Sequence, residues 1–131
     1  MAEQDSARRK RGLAMFEEVY GGVVPVPPPD RQGPFFFQTI DQLFAETWST
    51  PNMSIRDKRL VALGAVAAMG EIEMFEIQLR AALKKGELTK AQVEDMVMFL
   101  PAYVSYPRTS KILLMTQRLF AELEKEKAGD K

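Results

Sequence analysis

The stretch "EMFEIQLRAALKKG", residues 73 to 86, reads as one amphipathic helix with its own stop signal. Met74, Phe75, Ala81 and Ala82 lie three or four positions from Gln78, so a polar amide sits on the apolar face, and Gly86 closes the helix. Glu76 and Arg80 are spaced to pair on the opposite, wet side. A polar group inside an apolar stripe either has a buried partner or is placed for chemistry.

The helical period continues on both sides. Asp5 or Ser6 can cap a helix over residues 5 to 20, with Leu13, Phe16, Val19 and Tyr20 as its stripe and Gly21-Gly22 as its end. "GGVVPVPPPDRQGP", residues 21 to 34, holds five prolines and three glycines, so it is an extended connection. From 35 to 48, Phe36, Ile40, Leu43, Phe44 and Trp48 keep helical spacing until "STPNM". Ser54 with Asp57 resembles a capping box for a helix through Met69, stopped by Gly70; its second half, "LVALGAVAAMG", is apolar all round and reads as the buried central helix.

Thr89 with Gln92 is a capping box for a helix carrying Val93, Met96, Val97 and Leu100, which Pro101 breaks. A last helix runs from about 108 to 127 with Ile112, Met115, Leu119, Phe120 and Leu123 inward, then frays. No segment alternates as a strand would. The expected fold is all-α, a single domain over 1–131: an N-terminal helix at 5–20, a connection at 21–34 and a helical core at 35–127.

Composition narrows the function. The chain has 131 residues, 46% of them hydrophobic, enough for one packed domain. Eighteen basic residues balance eighteen acidic ones, so no global field attracts nucleic acid. No apolar run approaches the ~20 residues of a membrane span, and residues 1 to 12 are charged where a signal peptide is apolar; a cytoplasmic location is expected. With neither Cys nor His, thiolate redox chemistry, zinc sites and Ser-His-Asp catalysis are not expected, and proton transfer falls to Asp, Glu, Lys, Tyr or water.

Four features are candidates for more than packing. "ARRKRG", residues 7 to 12, reads as a solvated helix face, and the eight methionines read as core filler. In "SIRDKRL", residues 54 to 60, Arg56 or Arg59 can hold a carboxylate bidentately, and basic residues in a first turn call for a compensating anion. In "AYVSYP", residues 102 to 107, Tyr103 and Tyr106 flank a bend where their hydroxyls can cap carbonyls, or Tyr103 can reach a pocket with Gln78.

Taken in order, the "E-x-W-S-x-P" turn at 46 to 51, "R-D-K" at 56 to 58, "LRAAL-x-x-G" at 79 to 86 and the Tyr-x-x-x-Pro bend at 103 to 107 resemble the gamma-carboxymuconolactone decarboxylase family, over about residues 12 to 122. The resemblance implies an alkylhydroperoxidase-D-like helical domain of about six helices, assembled as a trimer or hexamer. It implies cofactor-free, metal-free decarboxylation of a carboxylated lactone in aromatic catabolism, with no membrane or nucleic-acid partner. The roles it implies are Arg56, Arg59 and Trp48 for substrate binding, Gln78 and Tyr103 as oxygen-stabilising donors, and Glu46 or water as proton source. Many family members have His where this chain has Gln78, and a second His where it has Phe99. Here Ser105 replaces a usual Gly, and "GELT" carries one residue more than the common "GLT". The thiol peroxidase activity of the wider superfamily uses a Cys pair that this chain lacks.

Overall fold

A computed structural model describes residues 2–129 and, among them, helices without strands. In chain order these are α1 (Ala2–Tyr20), a 3₁₀ turn (Pro29–Arg31), α2 (Pro34–Gln38) running on as a π-helix (Thr39–Thr47), α3 (Ile55–Met69), α4 (Ile72–Lys84), α5 (Lys90–Phe99), α6 (Pro101–Val104) and α7 (Tyr106–Gly129). The all-α expectation is met. The outermost ends of the expected 1–131 domain and of its fraying tail, at 1, 130 and 131, lie outside the described residues, as does the Asp5 side chain. The backbone forms two compact units, Met1–Lys58 and Arg59–Lys131.

In the first unit α1 starts earlier than a Ser6 cap would allow, because Ala2, Glu3 and Gln4 are all able helix formers. The connection after it is extended but contains the Pro29–Arg31 turn, held where the Gln32 amide donates to the Pro27 carbonyl at 2.8 Å. The segment expected as one α-helix widens into π winding, with Trp48 N–H donating to the Leu43 carbonyl five residues back at 2.8 Å. The wider turn puts Ile40, Phe44 and Trp48 in the core and leaves Leu43 exposed. Phe16, Tyr20 and Phe44 meet edge to face, with centroids 5.1 to 5.7 Å apart.

The basic run on α1 is not a solvated face throughout. Arg9 grips the Asp41 carboxylate with two bonds of 2.7 and 2.8 Å and lies 4.2 Å from the Phe37 ring centroid. Those bonds hold the Asp41 carboxyl below the usual carboxylate range, and Arg8 bonds both the Asp41 carbonyl (2.8 Å) and Glu46 (2.7 Å). Helix and π segment come so close at Gly12 that a β-carbon there would fall on the Ile40 carbonyl oxygen.

The second unit is built around α4, which buries Phe75, Gln78, Leu79, Ala81 and Ala82. The expectation that α3 is the buried central helix fails: Leu63 and Ala67 are buried, but Val61 and Met69 are 63% and 69% exposed. An apolar circumference does not ensure burial on every side; α3 has enough neighbours for one stripe. Arg80 and Glu76 do not pair with each other. Arg80 bonds Glu122 (2.6 Å) and Glu126 (3.3 Å) on α7, and Glu76 bonds Arg118, because α7 lies alongside and offers better-aligned partners.

The Thr89 and Gln92 capping box forms as expected. Pro101 breaks the chain into the short α6, and α7 begins at Tyr106, two residues early. Ser105 explains the shift: its hydroxyl accepts from Arg108 N–H at 3.3 Å, so Pro107 falls in the first turn, where a missing N–H costs nothing. Among the described residues the hydroxyls of Tyr103 and Tyr106 cap no carbonyl; Arg108 donates to the Val104 carbonyl instead, at 3.3 Å. Ser105 has φ of 101° and ψ of 155°, a region that strains any residue but glycine.

Two substitutions at these points should move stability in opposite directions. Gly12→Ala should destabilise by about 1–3 kcal/mol through overpacking, read from urea unfolding followed by fluorescence of Trp48, the single tryptophan. Ser105→Gly should stabilise by about 1 kcal/mol, since relief of strain exceeds the few tenths lost at the cap; an unchanged urea midpoint would show the backbone there to be unstrained.

Candidate functional site

Arg59 has no exposure to solvent at all, so its charge must be answered inside the protein. Glu87, in the loop between α4 and α5, takes it bidentately, with Nε to Oε1 at 2.9 Å and Nη2 to Oε2 at 3.1 Å. The remaining arm, Nη1, donates to Gln78 Oε1 at 2.9 Å. The amide on the apolar face of α4 is therefore half of a buried polar network, with Gln78 6% exposed. Its bond to Arg59 also decides orientation: the carbonyl end faces the guanidinium, and the NH₂ end is the one that can donate elsewhere.

The other basic residues of the α3 first turn are also answered internally. Lys58 donates to the Trp48 and Thr50 carbonyls at 2.8 and 2.7 Å, and Arg56 lies 3.5 Å from Asp57. The Ser54 hydroxyl accepts from Asp57 N–H at 3.0 Å, completing one half of the expected box. The compensation that the helix dipole calls for comes from carbonyls and side chains of the chain itself.

Of the six residues singled out in the sequence, the structure brings Arg59 and Gln78 together. Tyr103 is engaged elsewhere: 75% exposed, its ring lies 5.1 Å from that of Phe99 at a 34° tilt. In the first unit Trp48 is a core residue, Glu46 is bonded to Arg8, and Arg56 is partly exposed. Glu87 was missed. Its signal was present as the extra residue in "GELT", but an added acid in a loop does not reveal which cation it will meet. Among the described residues no three acidic side chains gather as a metal site would require, and no helix is long and apolar enough to cross a membrane.

The chain's likeness to a known protein extends well beyond this site. The chain is 26% identical over 123 residues to the 4-carboxymuconolactone decarboxylase of Acinetobacter baylyi (strain ATCC 33305 / BD413 / ADP1), with 91% of each protein covered. The similarity to that decarboxylase is distant but runs along nearly the whole chain. No family model matches it. In this chain the amide at 78 and the acid at 87 converge on one guanidinium.

Removing either partner should expose that dependence. Glu87→Ala leaves a buried charge uncompensated and should cost about 3–5 kcal/mol. Gln78→Leu strands one N–H and should cost about 1–3 kcal/mol. Helical circular dichroism in a urea series measures both, and a Glu87→Ala midpoint equal to wild type would show that water reaches Arg59.

Proposed function

We propose that this protein is a carboxymuconolactone decarboxylase-like carboxy-lyase that acts without a cofactor on a carboxylated lactone or related enol acid of aromatic catabolism, as a homo-oligomer. Similarity along nearly the whole length to a decarboxylase is the observation that supports it. Loss of carbon dioxide leaves an electron pair delocalised toward the lactone carbonyl, and the enolate oxygen then needs a donor before carbon is reprotonated. In this reading the oriented Gln78 amide supplies that donor and Arg59 with Glu87 holds it in place. The roles implied for Arg56, Tyr103, Glu46 and Trp48 are part of the proposal, each open to test by its own substitution.

A second reading has its own observation. Glu87 occupies Arg59 as a bound carboxylate ligand would, so the chain itself fills the cation that the family resemblance assigns to substrate. A Gln cannot shuttle a proton near neutral pH, and general acid–base help is worth ~10²–10⁴ in rate. The protein is then a ligand-binding or assembly homologue.

Carbon dioxide release from freshly generated 4-carboxymuconolactone, measured for wild type, Gln78→His and Arg56→Ala, separates the readings. Turnover by wild type that falls by about 10²-fold or more in Arg56→Ala supports the decarboxylase with its carboxylate anchor. No turnover from folded wild type overturns this substrate, and activity appearing in Gln78→His alone identifies the missing acid as the cause.

A further inference from the structure

A groove of about 830 Å³ runs between α5 and α7 in the second unit, apart from the Arg59 network. Val97, Met98, Leu113 and Phe120 give it an apolar wall. Thr116 also lines it, 2% exposed, and among the described residues its hydroxyl finds no hydrogen-bond partner. A buried hydroxyl left without a partner is uncommon in folded proteins and points to a group that completes it.

The charges around the groove say what kind of group. Glu94, Asp95 and Glu124 supply three carboxylates, against the one ammonium of Lys90. That ammonium lies over the Phe120 ring, 5.1 Å from its centroid, so the chain's own cation takes that ring face and a ligand's charge is left to the carboxylates. An apolar wall, an acidic rim and an unpartnered hydroxyl are complementary to an apolar molecule that carries a positive amine.

We infer that the α5/α7 groove binds a hydrophobic organic amine in its ammonium form, seated on Leu113 and Phe120 with its charge at the acidic rim. This site stands independently of the decarboxylase reading, which concerns an anionic substrate. The size of the groove suits an aromatic or long aliphatic body.

Isothermal titration calorimetry of the full chain with 2-naphthylmethylammonium, 2-naphthylmethanol and 2-naphthoate tests it. The expected result is saturable binding of the ammonium, roughly tenfold tighter than the alcohol, with the carboxylate weakest. Glu94→Gln with Asp95→Asn should erase the preference over the alcohol, and Leu113→Arg should abolish binding. Met98→Lys, at an exposed wall position, serves as the blocking variant should Leu113→Arg fail to fold. No saturable heat at millimolar probe, equal affinity for the carboxylate, or full affinity in a folded blocking variant overturns the site. Failure to bind together with loss of an oligomer in the blocking variant, seen by light scattering, also overturns it and assigns the groove to a second copy of the chain.

Discussion

A guanidinium cut off from water is the constraint around which the second unit is organised. Desolvating Arg59 is costly unless a carboxylate meets it with good geometry and its other donors are satisfied. Glu87 meets it in a fork and Gln78 takes the third arm, so the α4–α5 loop, one turn of α4 and the end of α3 that carries Arg59 are held to a common point. The hydrophobic core supplies most of the driving force by burying Leu63, Phe75, Leu79, Val93 and Leu119. The polar network selects which arrangement of those helices leaves no charge unanswered.

That network also frames the chemistry. Relative to the pattern it resembles, the chain exchanges an imidazole for an amide and adds an acid. The amide retains hydrogen-bond donation and loses proton transfer, while the acid neutralises a cation that could otherwise face an anionic ligand. The two changes act on the same guanidinium, so their effects on charge and orientation are coupled.

The first unit solves a different problem, that of bringing a charged helix onto an aromatic cluster. Gly12 lets α1 approach the π segment at backbone distance, the three rings fill the space beyond, and Arg8 and Arg9 seal the edge against Asp41 and Glu46. In the second unit the backbone is strained at Ser105, where a polar side chain that caps α7 occupies a conformation better suited to glycine.

The sequence by itself determined the helical class, most helix limits, the Thr89 box and the stops at Gly70 and Gly86, where positive φ ends each helix. These rest on spacing and capping within a few residues, which the local order of residues carries without any tertiary contact. It also marked Gln78 as out of place on its face. Only the tertiary structure decided that its partner is Arg59, 19 residues away, that Glu87 answers Arg59 from 28 residues away, and that Arg80 turns to Glu122 across 42. Widening of the 39–47 segment into π winding and the exposure of one side of α3 were decided there too. Periodicity encodes which face of a helix is apolar; which element covers that face, and which charge ends opposite which, follows from packing between segments far apart in the chain.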